Sequence, residues 1–207
     1  MIVAVDGPAA SGKGSIAKAI ANEYGLPHLD TGLLYRAVGV AMRRADCPFD
    51  DSTRAAELAR TMPDDLLEDD ALRTRSAGAD ASVVSAHPAV REALLFRQKS
   101  FARQDGGAVL DGRDIGTVIA PGATIKLYVT ATVEERAKRR ARELNSRGEA
   151  VEFVDVLADL KARDERDSGR AAAPLTIAKD AFVLDTTTLG LEASIAAALE
   201  AVHRALD

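Results

Sequence analysis

Cysteine is almost absent from this sequence. Cys47 is the only cysteine among 207 residues, so no internal disulfide can form. A chain without disulfides suits a reducing compartment, and a lone cysteine is most simply a small buried hydrophobe. We therefore expect a cytoplasmic protein.

Long apolar runs and excess positive charge are also missing. The apolar start, Met1 to Val5, is too short for a signal peptide, and no later run approaches membrane-spanning length. The net charge of −5 argues against nucleic-acid and membrane partners, which attract proteins with surplus positive charge. Yet 20 of the 27 basic residues are arginine. The arginine fork suits phosphate, although biased codon usage would produce the same surplus.

A turn rich in small residues follows the first apolar run. The sequence of this turn is Gly7-Pro8-Ala9-Ala10-Ser11-Gly12-Lys13-Gly14-Ser15. It fits the G-x-x-x-x-G-K phosphate loop, in which backbone N–H groups and a helix N-terminus cradle a polyphosphate and the lysine reaches its β- and γ-phosphates. The alternative is a glycine turn that binds nothing. A strand-like run before the turn and a helical pattern after it favour a nucleotide-phosphate site formed by all nine residues.

Five strand-like runs alternate with longer helical patterns. The runs are Ile2–Asp6, 27–30, 108–111, Ile125–Thr130 and 181–185, and the helical patterns lie near 13–24, 32–46, 52–61, 88–104, 133–147, 152–167 and 191–206. Several runs are continuously apolar, as strands covered on both faces are. The alternation predicts an α/β fold with a five-stranded parallel sheet, helices on both faces and ligands at the carboxyl ends of the strands.

Two segments interrupt this alternation. Residues 62–85 are acidic, rich in small residues and without sustained periodicity, and we interpret them as an insertion. Residues 163–174 pass from charged to small residues, which is typical of a mobile segment at the end of a helix. We expect a single domain whose core comprises residues 1–61, 86–162 and 175–207.

Arginines cluster around the predicted ligand edge of the sheet. Thr31 is placed to cap a helix, and Arg36 lies about one turn into it. Arg113 follows a buried run, and Arg163, Asp167 and Arg170 share one face if their helix continues far enough. The alternatives are a solvated Arg36 and an ordinary surface ion pair between Arg163 and Asp167. Asp111 could either lie near a bound Mg²⁺ or simply close a turn.

These motifs together resemble bacterial cytidylate kinases, the P-loop enzymes that phosphorylate CMP and dCMP from ATP. The matching stretches are Gly7–Ser15, Leu29–Arg36, 87–95, 111–118, 163–170 with 173–175, and 184–187. They follow the family's order and span nearly the whole chain. The resemblance implies the fold of nucleoside monophosphate kinases, with a short insert that binds the monophosphate (62–85) and a small lid (163–174).

The resemblance also implies roles for individual residues. Arginines on the acceptor phosphate or on the phosphoryl group in flight would be Arg36, Arg113 and Arg170. The residues that recognise the cytosine base would be Ser82, Arg91 and Asp114. The residues that reach the ribose and line the lid would be Arg163 and Asp167. Thr31, where the family usually has serine, places a methyl group near the sugar and phosphate. The region before Leu72 is shorter than the family's insert, which puts the insert's small antiparallel sheet in doubt.

The chemistry of a phosphate acceptor fits these roles. Its second pKa is about 6, so at neutral pH it needs no general base, and we predict that His28, His87 and His203 are structural or solvated. Catalysis requires cations, which we predict to be Lys13, Arg113, Arg163 and Arg170 together with Mg²⁺ held by phosphates and water. Ser15 and Asp111 are candidates for orienting that ion. We expect a monomer with ATP and CMP or dCMP as its ligands.

Two other functions are compatible with a phosphate loop. One is a kinase for a different small acceptor, such as another nucleoside monophosphate or shikimate. The other is a nucleotide-binding switch that hydrolyses slowly and signals to a partner. A switch needs a residue that orients water, and the sequence offers no clear candidate.

Overall fold

A computed structural model describes residues 1–206 of the chain. Its five strands are β1 (Ile2–Asp6), β2 (His28–Asp30), β3 (Ala108–Gly112), β4 (Ile125–Thr130) and β5 (Phe182–Asp185). Every neighbouring pair of strands is parallel, and their spatial order is β2-β3-β1-β4-β5. The predicted α/β class and five-stranded parallel sheet are confirmed.

Helices connect these strands and cover the sheet. Within residues 1–206 they are α1 (Lys13–Tyr24), α2 (Thr31–Arg44), α3 (Ser52–Thr61), α4 (Arg75–Val84), α5 (Pro88–Ala102), α6 (Val133–Ser146), α7 (Phe153–Gly169) and α8 (Leu191–Leu206). Two 3₁₀ turns, Asp64–Glu68 and Asp70–Arg73, precede α4, and a π-helical turn, Ile115–Ile119, follows β3. No helix within residues 1–206 is both long and apolar enough to cross a bilayer.

Side chains of the central strand, β1, pack in two hydrophobic clusters, one on each face of the sheet. Val3 and Val5 of β1 pack in the cluster formed with α1 and α8, whereas Ala4 packs on the opposite face with α5 and the 115–119 turn. Because side chains alternate along a strand, a continuously apolar run is what a strand covered on both faces requires. A third cluster, formed by α2 to α5, extends the core beyond the β2 edge.

The segment 62–85 is more regular than its sequence suggests. It contains α4, whose N-cap Thr74 accepts a hydrogen bond from the Ala77 N–H at 3.2 Å, and no strand lies in it. This helix is missing from the helical patterns predicted from the sequence, because alanine, glycine and serine leave no apolar stripe for periodicity to detect. Small residues instead allow α4 to pack closely on α2 and bury Ala77 and Ala81.

The helix before the predicted mobile segment also continues further than expected. Helix α7 ends at Gly169, so residues 163–169 are helical, and Arg170 is the C-cap residue. Arg163 and Asp167 are therefore one turn apart on α7, and they line the same small cavity as the C-cap residue Arg170.

We predict that Gly39→Ala destabilises the protein by about 1–2 kcal/mol. A Cβ at position 39 would lie 2.7 Å from Cβ of Asp80 in α4, and the overpacking outweighs the higher helix propensity of alanine. Urea denaturation measures the effect. The matched control is Gly169→Ala, another helical glycine, whose added Cβ would meet nothing within 4 Å. Equal stability of the Gly39→Ala variant and the wild type would contradict this packing.

Candidate active site

The phosphate loop joins β1 to α1 in a conformation that depends on glycine. Gly7 has φ +152°, and a Cβ there would lie 2.0 Å from the Val129 carbonyl oxygen. Gly12, at φ +92°, is the N-cap of α1 and has no side chain to accept the first N–H groups of the helix. Those N–H groups and the positive end of the helix dipole are thus left for an anion.

Lys13 lies among buried charges immediately after this loop. Its Nζ is 3.8 Å from Oδ1 of Asp111, which is too long for a hydrogen bond. Burial and the nearby charge of Arg113 lower the pKa of Lys13 to about 8. Asp30 pairs with Asp111 across β2 and β3, and burial together with the Asp111 charge raises the pKa of Asp30. A polyphosphate beside Lys13 would stabilise its charged form.

The residue that caps α2 is Asp30, not Thr31. Oδ1 of Asp30 accepts a hydrogen bond from the Gly32 N–H at 2.9 Å. Thr31 is the first helical residue, and its hydroxyl donates to the Asp111 carbonyl at 2.9 Å. The prediction that Thr31 caps this helix was therefore wrong, because β2 ends one residue before it and places the carboxylate at the N-cap. The hydroxyl of Thr31 ties α2 to β3 instead.

A cavity of about 410 Å³ opens beside the phosphate loop. Its lining carries six positively charged residues, which are Lys13, Arg36, Arg75, Arg140, Arg163 and Arg166. The carboxylates in the lining are Asp30, Glu143 and Asp159. Positive charge therefore exceeds negative charge around the cavity, which suits a polyanionic ligand.

Arg36 and Arg163 reach this cavity from different helices. Arg36 donates to the Leu72 carbonyl at 2.8 Å, and Arg163 donates to the Gly78 carbonyl at 3.3 Å. Burial lowers the pKa of both, and that of Arg163 falls to about 9 because Arg113 adds to the effect. Nε of Arg163 is buried without a hydrogen-bond partner among the described residues. Arg36 is thus not a solvated helix residue, and Arg163 is not part of a surface ion pair.

A second, smaller cavity of about 30 Å³ adjoins the first one. Its charged lining residues are Arg91, Arg113, Asp114, Arg163, Asp167 and Arg170. This volume accommodates water but not a nucleobase, since one water molecule occupies about 30 Å³ in the liquid. The arginines in it are paired with carboxylates of the same chain.

Those pairs are buried and specific. Nε of Arg113 donates to Oδ2 of Asp167 at 2.8 Å, and Arg91 donates to Oδ2 of Asp114 while lying 5.6 Å from the Tyr35 ring centroid. Burial would lower the pKa of Arg113, but the carboxylates around it, Asp167 first and then Asp111 and Asp30, more than offset this and leave it above its usual value. Arg170 lies between both carboxylates, 3.7 Å from Asp114 and 3.9 Å from Asp167.

The structure therefore brings together nearly all the residues predicted for the acceptor. Thr31, Arg91 and Asp114 line the smaller cavity with Arg113, Asp167 and Arg170, whereas Arg36 and Ser82 line the larger one. Arg163 lines both. Ser82 is on α4, where its hydroxyl accepts a hydrogen bond from Nε of Arg166 at 3.0 Å. Their binding roles remain predictions.

Several charged residues at the site were not predicted from the sequence. They are Asp30, Arg75, Arg136, Arg140 and Arg166. Arg136 supports the phosphate loop by donating to the Ala9 carbonyl at 3.2 Å and to both carboxylate oxygens of Asp164. In a sequence, a helical arginine such as Arg136 cannot be told from a solvated surface residue. For Arg75, the one sequence feature that indicated its helix was Thr74, a residue type that often forms the N-cap.

Asp6 connects the end of β1 to the loop that carries Arg113 and Asp114. Its carboxylate accepts hydrogen bonds from the N–H groups of Ile115 at 2.8 Å and Gly116 at 2.7 Å. Burial raises the pKa of Asp6 to about 6 despite these two bonds. The backbone that positions Arg113 and Asp114 is thus attached to the central strand.

Comparison with known proteins identifies the family. The family model described as cytidylate kinase matches residues 3–204. The chain belongs to the cytidylate kinase family. It is 57% identical over 205 residues to the cytidylate kinase of Azorhizobium caulinodans, covering 99% of each chain. It is 58% identical over 203 residues to that of Xanthobacter autotrophicus, covering 98% of this chain and 97% of the relative.

Solved structures support the fold of this family member. A crystal structure of a Thermus thermophilus protein is similar with a TM-score of 0.51 and 23% identity, covering 100% of this chain and 98% of the other. A crystal structure of an uncharacterized Eubacterium ventriosum protein is similar with a TM-score of 0.56 and 13% identity, covering 98% of each chain. The family resemblance inferred from the motifs is confirmed.

We predict that Asp6 makes stability fall as pH rises from about 4 to 7. Because its folded pKa of about 6 exceeds the ordinary value of 3.8, the neutral form favours folding, and this contribution is lost as pH rises through 6. The shift corresponds to about 3 kcal/mol. Denaturant unfolding across this pH range should show the wild type losing stability relative to Asp6→Asn, which cannot ionise. A pH-independent difference between the two proteins would refute the assignment.

Proposed function

We propose that this chain transfers the γ-phosphoryl group of ATP to CMP or dCMP and releases ADP with CDP or dCDP. Membership in the cytidylate kinase family supports this reaction. The observation that carries it is the surplus of positive charge around a cavity that adjoins the phosphate loop. Two polyanions repel each other in water, and a fixed cluster of cations lowers the free energy of bringing them together.

The proposed catalysis is electrostatic. The acceptor oxygen belongs to a phosphate that is mostly ionised at neutral pH, so its attack on the γ-phosphorus requires no general base. Lys13 and the loop N–H groups stabilise the charge that develops on the leaving ADP, while Arg113, Arg163 and Arg170 stabilise the phosphoryl group in flight. Arg163, whose Nε lacks a hydrogen-bond partner within residues 1–206, has a free donor for this purpose.

The nucleotides are assigned to different parts of the site. ATP is held by the loop Gly7–Ser15, and the acceptor phosphate is held by Arg36, Arg113 and Arg170. Ser82, Arg91 and Asp114 read the base, because a carboxylate and an arginine complement the amino donor and the acceptors on the edge of cytosine. Thr31, Arg163 and Asp167 lie around the sugar. All of these groups come from one chain, so the proposal requires only a monomer.

Mg²⁺ fits the charged groups beside Lys13. Within residues 1–206, no group of three or more His, Cys, Asp or Glu side chains could hold a metal ion alone. Asp111 and Asp30 are instead paired in register at the ends of two strands, and Asp111 lies beside Lys13 of the loop that would receive the triphosphate. This suits an ion that takes most of its ligands from phosphates and water. Asp111 and Ser15 would orient it, and the ion would neutralise charge on the β- and γ-phosphates.

Two mobile elements are proposed around the cavity. Residues 62–85 form the insert that binds the monophosphate, and residues 163–174 form the lid. In the structure they meet through the hydrogen bonds from Arg163 to the Gly78 carbonyl and from Arg166 to Ser82. The insert also contacts α7 ahead of the lid through Arg75 and Asp159, whose closest atoms are 2.7 Å apart. Opening at these contacts would admit CMP to the smaller cavity, and closure would exclude water from the reaction.

The acceptor itself provides the decisive test. We predict that a coupled ADP-release assay with CMP, dCMP, UMP, AMP, GMP and shikimate shows the highest kcat/KM for CMP and dCMP. The Asp114→Ala variant should lose much of this preference, because the carboxylate that reads the cytosine amino group is gone. Equal rates with all acceptors would refute the proposed substrate, and steady hydrolysis without any acceptor would favour a switch. Unchanged selectivity of Asp114→Ala would refute only the base assignment.

The proposed catalytic cations make a second prediction. Arg113→Ala should raise the activation barrier by about 3 kcal/mol, roughly a hundredfold in kcat, and Lys13→Ala should abolish transfer without unfolding the protein. Stopped assays at saturating ATP and CMP measure these losses. The exposed residues Arg204 and Lys18 provide matched controls, Arg204→Ala and Lys18→Ala, which should retain wild-type turnover. Wild-type turnover by either site variant would contradict its role.

Closure of the lid makes a third prediction. Hydrogen exchange in residues 163–174 should slow when CMP and a non-hydrolysable ATP analogue are both bound, because the arginines then contact phosphates. Mass spectrometry of peptides from this segment provides the measurement, with peptides from α8 as the internal reference. The same exchange rates with and without both nucleotides would count against a lid.

A further inference from the structure

The phosphate loop lacks the hydroxyl that usually follows its lysine. In the G-x-x-x-x-G-K-[ST] pattern this hydroxyl binds Mg²⁺, but here Gly14 takes that position. A Cβ built on Gly14 would lie 3.9 Å from Oδ1 and 4.0 Å from Oδ2 of Asp111. A carboxylate thus faces the place from which the hydroxyl is missing, so its orientation matters for the metal.

His28 determines this orientation. Its Nε2 lies 2.8 Å from Oδ2 of Asp111, and the two side chains are 15% and 2% exposed. The other oxygen, Oδ1, is 3.8 Å from Nζ of Lys13, beyond hydrogen-bond distance. The imidazole therefore holds one carboxylate oxygen, while the second oxygen faces the phosphate loop without forming a hydrogen bond to the lysine.

The position of His28 on its strand explains how it reaches Asp111. Strand β2 pairs with β3 so that Asp30 is opposite Asp111 and His28 is opposite Val109. Side chains two residues apart share one face of a strand, so His28 and Asp30 both flank the Asp111 side chain. Asp30 is bonded to the Gly32 N–H as the cap of α2, which leaves His28 to hold Asp111.

We propose that His28 is a positioning residue for magnesium-bound ATP. It donates its Nε2 proton to Oδ2 of Asp111 and thereby leaves Oδ1, which is beyond hydrogen-bond distance from Lys13, to accept hydrogen bonds from water bound to Mg²⁺. This inference rests on the proposed kinase function. Groups that orient the carboxylates around a metal typically change its affinity by about 10–100-fold when they are removed.

The test compares ATP binding with and without Mg²⁺ in three proteins. Calorimetry on the wild type, His28→Leu and His28→Gln gives the ratio of the two ATP affinities. We expect this ratio to fall about tenfold in His28→Leu. It should recover in His28→Gln, whose amide nitrogen can donate from nearly the same place. Kinetics should show a matching rise in the Mg²⁺ concentration at half-maximal rate, with kcat at saturating Mg²⁺ changed less than twofold.

Two comparisons separate positioning from a structural effect. In an Asp111→Asn background, His28→Leu should cause no further loss of the Mg²⁺ effect, since the histidine acts through that carboxylate. His203→Leu removes an exposed histidine from α8 and should leave the ratio unchanged. An unchanged ratio in folded His28→Leu, or an equal loss in the Asp111→Asn background, would overturn the proposal.

A measurement on the wild type keeps the proposal testable if His28→Leu does not fold. The ¹⁵N resonance of His28 Nε2, assigned by its absence in His28→Gln, should shift when Mg²⁺ is added to the ATP-bound protein. No shift would overturn the inference. Transfer to CMP by the same wild-type preparation tests the proposed function separately. A protein that phosphorylates CMP but shows no His28 effect refutes the inference alone.

Discussion

The repulsion among buried cations at one edge of the sheet is the constraint on which this structure depends. Lys13, Arg36 and Arg163 all have lowered pKa values because burial and neighbouring positive groups disfavour their charged forms. Such a cluster opposes folding, because like charges repel one another. A few buried carboxylates lie among the arginines and offset part of this repulsion. An anionic ligand relieves the same repulsion, so the arrangement that weakens the free protein strengthens nucleotide binding.

The carboxylates have different tasks in this arrangement. Asp167 lies within 4 Å of Arg113, Arg163 and Arg170, and the three guanidinium groups keep its pKa below the usual range although burial opposes this. Asp114 neutralises Arg91 in the smaller cavity, and Asp111 lies beside Lys13. In the structure, these groups neutralise the arginines that we assign to the nucleotides. Under that assignment, binding of a monophosphate would exchange carboxylates for phosphate oxygens around these arginines.

The parallel sheet explains why the charges can be gathered at all. The carboxyl ends of β1, β2 and β3 lie side by side, so Asp6, Asp30 and Asp111 are brought to one edge from distant parts of the chain. The helices add the positive groups, because α2, α4 and α7 each direct an arginine into the larger cavity. Asp6 then fixes the loop after β3 through two backbone N–H groups, which keeps Arg113 and Asp114 next to the phosphate loop.

The class of fold, the phosphate loop and the family could all be predicted from the order of the amino acids. Buried parallel strands, helical periodicity and a glycine-lysine turn are local features, so each can be recognised from a short stretch of sequence. Helix α4 escaped prediction because its buried face consists of small residues, which carry no hydrophobic period. The sequence analysis placed the N-cap of α2 one residue too late, at Thr31. Asp30 and Thr31 are both common N-cap residue types, and the N-cap is Asp30 because β2 ends at that residue.

The pairs of charged residues that face one another could not be predicted from the sequence and are known only from the folded structure. An arginine at the surface and an arginine in a cavity look alike in sequence, and Arg140 and Arg166 differ from solvated residues only through the helices packed around them. The pairing of His28 with Asp111 likewise depends on the register of β2 and β3, since the two residues are 83 positions apart along the chain. Electrostatic interactions depend on distance and burial, and both quantities exist only after the chain has folded.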